Sequence, residues 1–148
     1  MVWCYMLSMS DSHWEHFHHE SDIGVRGIGA TVEEAFEQTA LALTAIISDP
    51  ASVRPELEVV IQCSAPNHEL LLTDWLNVLV YEMATRRMLF GRFRVKIEGD
   101  RLRAEIAGER IDLERHQPAV EIKGATYTEL FVGQEADGKW RAQCVVDV

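Results

Sequence analysis

Two isolated acids near opposite ends of the chain stand where a carboxylate can be exposed rather than packed away. Asp22 lies in His19-Glu20-Ser21-Asp22-Ile23-Gly24, between a strand-like approach and a glycine-containing bend, shortly before a helix start. Asp147 lies in a closing alternation in which Trp140, Ala142, Cys144, Val146 and Val148 share one face and Asp147 is the only acid on the other. If the first and last strands are neighbours, the two carboxylates repel unless a cation or a shared proton lies between them. Oxygen donors favour a hard ion, with the carbonyl or terminal carboxylate of Val148 able to complete the set. The expected ion is therefore divalent, calcium first with magnesium or manganese as alternatives; zinc would recruit His or Cys. The plainer alternative is a local turn bond for Asp22 and a solvated acid at Asp147. Lys123, in an extended segment, is placed to bind phosphate or to offset two nearby acids, or else is a surface lysine.

Other residues offer less. His13, His16, His18 and His19 make one region His-rich, with His16 and His18 on one strand face, but no cysteine accompanies them and solvated edge histidines explain them more simply. Gly24, Gly27 and Gly29 complete neither GxGxxG nor GxxxxGK[ST], and read as bends. No nucleophile elbow is present, and Cys63 and Cys144 occupy apolar strand positions where thiols act as core residues. A self-sufficient hydrolase is not expected.

With 148 residues and 47% hydrophobic content, the chain suits one domain, set at 13–148, with residues 1–12 as a disordered or non-native start. A net charge of −10 argues against a protein that holds nucleic acid through its own phosphate contacts and suits cations or a basic partner. Three cysteines without a CxxC pair indicate neither a disulfide framework nor a structural zinc site, and fit a reducing cytoplasm. Met1 to Leu7 lacks a basic flank and is too short for a signal segment, and no later run approaches a membrane span.

The elements that must position these residues follow from periodicity. Trp14–His18 and Val25–Gly29 are short strands. Thr31 with Glu34 is a capping box opening a helix through Phe36, Ala40, Leu43 and Ile47 that ends at Asp49-Pro50. Leu57 to Cys63 alternates as a half-buried strand, and a second helix runs from about His68 to Arg86 with a Leu71, Trp75, Val78, Leu79, Met83 stripe. Phe93–Ile97 and Leu102–Ile106 form a hairpin about Gly99-Asp100, and Gly108–Pro118 is a polar connection. Val120–Lys123, Thr126–Val132 and Lys139–Val148 are further extended candidates, with a turn at Asp137-Gly138. The expected fold class is α/β (α+β): a two-layer sandwich with a mixed, mostly antiparallel sheet and two main helices on one side.

Several segments together resemble the archease family. His19-Glu20-Ser21-Asp22-Ile23-Gly24 is similar to its H-T-A-D-I-G motif, and Thr31 to Phe36 to its T-x-E-E-A-F helix start. Asp74-Trp75-Leu76-Asn77, Glu121 to Tyr127 and the closing Val145-Val146-Asp147-Val148 agree as well. The resemblance implies an accessory to a GTP-dependent RNA ligase rather than an enzyme, acting in tRNA splicing or RNA repair and meeting RNA only indirectly. It maps an ion site that assists guanylylation of the ligase onto Asp22 and Asp147, and a further position linked to activity onto Lys123. A non-catalytic binding module or chaperone-like adaptor with a structural metal is the alternative. The chain departs from the family pattern at Val78, often Glu, at Thr128, often His, and at Gly124, usually Ala. Asp74 and Glu82, four residues to either side of position 78, are candidates to replace the missing acid.

Overall fold

The computed structural model describes residues 12–148, so the expected disordered or non-native start, and Cys4 with it, falls outside the described residues except for Ser12. The Ser12 hydroxyl donates to Glu34 Oε1 at 2.7 Å. Strands β1 (His13–His19) and β2 (Asp22–Gly29) form a hairpin that turns at Glu20, where φ is 54°. Helix α1 (Val32–Ile47) starts at the expected cap: Thr31 Oγ1 accepts the Glu34 N–H at 3.1 Å. Glu34 Oε1 reaches back to the Ala30 N–H at 3.2 Å, one residue before the position a capping box would use. Asp49 caps a 3-10 turn (Pro50–Ser52), which leads into β3 (Leu57–Ser64). Asn67 caps α2 (His68–Arg86), and the β4 (Met88–Glu98) and β5 (Arg101–Arg110) hairpin follows. A one-turn α3 (Leu113–His116), then β6 (Gly124–Ala125), β7 (Phe131–Gln134) and β8 (Trp140–Asp147), complete the chain.

The strands divide between two sheets, and every pairing among the described residues is antiparallel. One sheet has the order β1-β2-β8-β6 with β7 also paired to β8; the other has the order β3-β5-β4. Both long helices touch both sheets, so their apolar stripes meet in a single core that fully buries Phe36, Leu43, Leu71, Trp75 and Phe90. Trp75 ties the helices together by donating its indole N–H to Phe36 O at 3.1 Å, and its ring stands edge-on to Phe93 at 6.1 Å. This is the α/β arrangement expected, with mostly antiparallel strands and two principal helices.

Local departures have local causes. Gly24, Gly27 and Gly29 lie inside β2 and not at bends; a Cβ at Gly27 would stand 2.2 Å from Ala35 O, so its absence lets α1 lie directly on the strand. Asp22 is the first residue of β2, not a residue between strand and bend. The middle of strand β8, residues 142–146, is buried on both faces, and its edges are paired with β2 on one side and with β6 and β7 on the other. Val120–Lys123 is not a strand, and Thr126–Leu130 is a loop that precedes β7. The supposed polar connection at Gly108–Pro118 instead continues β5 and forms α3. Glu109 turns inward there, because Arg115 and His116 pair with its carboxylate and the Arg54 N–H donates to it at 2.7 Å.

Candidate functional site

Register brings the two acids together. Strands β2 and β8 pair from Gly29 with Trp140 through Ile23 with Val146, so one further step sets Asp22 opposite Asp147. On the far side of Asp22 the partner is His19, and on the far side of Asp147 it is Gly124. Directly opposed residues of an antiparallel pair point to the same face. His19, Asp22, Asp147 and Gly124 therefore form one row across four strands. Ile23, Val25 and Gly27 of β2 meet the core and α1, so the row lies on the opposite face, at one end of the sheet. Asp147 is exposed and Asp22 half-buried. Carboxylates turned toward one another from these positions would repel unless positive charge lay between them.

Arg26, the arginine of β2 on that face, is already engaged. Arg26 donates to Glu15 Oε1 at 2.6 Å and to Gln143 Oε1 at 2.9 Å, and lies over the Phe17 ring at 4.7 Å. The Arg26 hydrogen bond holds Glu15 below the usual carboxylate range against the opposing effect of burial. Lys123 is bound to the site through its backbone: its N–H donates to Asp147 O at 2.9 Å, and its side chain is exposed. Val148 follows directly and is half-buried against the core.

The segment carrying Lys123 is fixed from α2. Asn77 Oδ1 accepts the Ala125 N–H at 2.9 Å, and its amide donates to Ala125 O at 3.4 Å, so one side chain closes both ends of a peptide clamp on β6. A Cβ at Gly124 would come within 3.1 Å of Asn77 Oδ1. The glycine thus permits a close approach of α2. On the other flank Thr126 Oγ1 donates to Val145 O at 2.8 Å, and Thr128 O accepts the Val145 N–H at 3.0 Å. Helical periodicity carries no sign of the Asn77 clamp, since an exposed Asn on a helix looks like any solvated residue.

The other candidates stand apart from the acid row. Asp74 is exposed beside Cys63, Asn77, Val78 and Tyr81 in a shallow depression of about 300 Å³. Glu82 pairs with Arg86 at 2.9 Å, one turn along its own helix. The histidines do not assemble: His16 Nε2 donates to Ala42 O of α1 at 2.8 Å, and no group of three or more His, Cys, Asp or Glu able to hold a metal occurs among the described residues. Burial pushes the Cys63 thiol up to about 11, with Asp74 adding to the shift, and Cys144 up to about 12. Both stay thiols, unsuited to nucleophilic attack. No described helix is long and apolar enough to cross a membrane.

Known proteins share this layout. The profile of the Archease protein family matches residues 14–148. Protein archease of Pyrococcus furiosus is 40% identical over 139 residues, covering 91% of this chain and 98% of its own. Protein archease of Sulfolobus acidocaldarius is 33% identical, with 91% and 98% covered. The solution structure of protein 1598 of Methanobacterium thermoautotrophicum superposes with a TM-score of 0.80 at 31% identity, covering 91% of this chain and 98% of its own. A Thermotoga maritima crystal structure, named as an archease and possible chaperone, shares the fold with a TM-score of 0.62 at 20% identity over 90% of this chain and 96% of its own. The match runs from β1 to the end of β8 and takes in every residue of the acid row, and on it this chain belongs to the archease family.

Proposed function

We propose that this protein is an accessory activator of a GTP-dependent RNA ligase, assisting guanylylation and repeated turnover of the ligase through a divalent ion held by Asp22 and Asp147. Membership of the archease family supports the reading, and the observation that carries it is the β2–β8 register, which one step past its last pair puts Asp22 opposite Asp147 at the end of the sheet. The donor set fits a hard cation: two carboxylates and main-chain oxygens, Val148 among them, with water or partner groups completing the six to eight oxygens that calcium takes. Magnesium or manganese suits the same oxygens. Bound there, the ion would neutralise phosphate charge and help to orient a nucleotide.

The chain's own contribution is placement. The hairpin and β8 hold the carboxylates at the end of a sheet, where a partner surface can approach. Asn77 and the Thr126 hydroxyl fix the segment that presents Lys123, whose ammonium offers a point charge to a phosphate. Because Glu82 is engaged by Arg86, Asp74 is the better candidate to supply the acid missing at Val78. The protein would act in the cytoplasm as a cofactor of the ligase, without turnover of its own.

The test is reconstitution with purified ligase, GTP, RNA with 3′-phosphate and 5′-hydroxyl ends, and substoichiometric amounts of this protein. The expected result is multiple turnovers where ligase alone stalls, with stimulation lost in Asp22→Asn. The name given to the Thermotoga maritima structure favours a second reading, a binding module in which an ion only ties the strands together. An Asp22→Asn protein that stimulates fully but melts lower would establish that reading instead.

A further inference from the structure

A net charge of −10 speaks against phosphate binding only if the charge is evenly spread, and here it is not. In the sheet β3-β5-β4, Val59, Ile61, Val95, Leu102, Ala104 and Ile106 face the core, so the alternate residues form the outer face. That face carries Arg92, Arg94, Lys96, Arg101 and Arg103, five of the chain's 14 basic side chains, and three of its 24 acids, Glu58, Glu98 and Glu105. All five basic residues are exposed. Register sets Lys96 against Arg103 in one row and Arg101 against Glu98 in the next. Glu105 lies between Arg94 at 3.1 Å and Arg103 at 4.0 Å, which reduces repulsion among the guanidinium groups. At the turn end of the face, Lys96, Arg101 and Arg103 line a concavity of about 580 Å³ with Gln62, Cys63, Ser64, Leu102 and one acid, Glu98.

We propose that this outer face binds the phosphate backbone of double-helical RNA directly, without reading its sequence. Along β4 the cations recur at every second residue, about 6.8 Å apart. Arginine dominates, as suits paired donors meeting phosphate oxygens. The face has no aromatic side chain, and Val60 and Ala107 are its apolar residues. Binders of single strands stack bases on aromatics, and protein interfaces are anchored by apolar and aromatic groups. Neither device is present on this face, whereas backbone contacts need only cations and polar side chains. The surface is independent of the acid row on the other sheet, so it adds a contact with RNA to a protein whose ligase would otherwise supply all of it.

The test uses this protein alone, without ligase and with chelator present to silence any ion site. Fluorescence anisotropy of a labelled RNA hairpin is followed between 50 and 200 mM salt. With about three phosphate contacts, counterion release predicts binding roughly 40-fold weaker at the higher salt. Lys96→Glu, Arg101→Glu and Arg103→Glu combined should abolish binding at 50 mM, and the corresponding triple Gln variant should weaken it at least tenfold and flatten the salt dependence. Circular dichroism establishes that each variant is folded, and if the Glu variant is not, the Gln variant decides. No RNA binding by the native protein, or binding unchanged in the Gln variant, would overturn the proposal.

Discussion

Replacing Glu109 by Gln removes one charge from a closed polar network and tests how the corner joining β5, α3 and the 3-10 turn is held. The Glu109 side chain is 5% exposed, and its carboxylate meets Arg115, His116 Nε2 at 3.0 Å and the Arg54 N–H at 2.7 Å. His116 Nδ1 accepts the Asp112 N–H at 2.9 Å, which leaves Nε2 to carry the proton it donates to Glu109. Burial pushes the Glu109 carboxyl upward, but the Arg54 N–H, Arg115 and His116 outweigh it and bring it down to about 2 from an ordinary 4.5. A depressed carboxylate stabilises the fold above its unfolded value, and that stability is lost as pH falls from about 4.5 towards about 2. The size is about 3 kcal/mol at pH 7, in line with the cost of breaking a buried ion pair. For a chain of this length that lowers the melting temperature by about 12 °C. At pH 3 about 2 kcal/mol of the native advantage has gone, so the gap between native and Glu109→Gln proteins should narrow to about 1 kcal/mol. Thermal unfolding followed by circular dichroism at both pH values reads this directly. A gap of the same size at pH 7 and pH 3, or one under about 1 kcal/mol at pH 7, would refute the reasoning.

Two further substitutions probe how the acid row is held in place. Asn77→Ala removes both hydrogen bonds to Ala125 and should cost about 1 kcal/mol, with amide exchange rising at Ala125 and unchanged in the core helices. Gly27→Ala would set a methyl group 2.2 Å from Ala35 O and 2.5 Å from the Thr39 hydroxyl. Overpacking there should cost at least about 2 kcal/mol, seen as a melting temperature lower by about 8 °C.

The helices were legible because their stripes and caps are local signals. Asn67 and Arg86 bound α2 as the pattern requires, and Thr31 caps α1 through Glu34. The β4–β5 hairpin was equally plain from its alternation and the Gly99 turn, although the strands run longer than expected. What a linear pattern could not convey was pairing. Asp22 and Asp147 could be singled out by isolation and family resemblance, but their opposition depends on the β2–β8 register, a long-range feature. The buried Glu109 network was hidden for the same reason: its polar residues look solvated until their partners are in place. The division into two sheets, and the basic outer face of one of them, likewise emerge only when strand order is known. Net charge, summed over the whole chain, conceals that segregation.

Whether Asp22 and Asp147 share one ion is measured directly by calorimetric titration of the purified protein with calcium, repeated with magnesium and manganese. The predicted result is one ion per chain for the native protein and no measurable binding in Asp22→Asn or Asp147→Asn, with all three proteins folded. Stoichiometric binding that survives in both variants, or a native protein that binds none of the three ions, would contradict it.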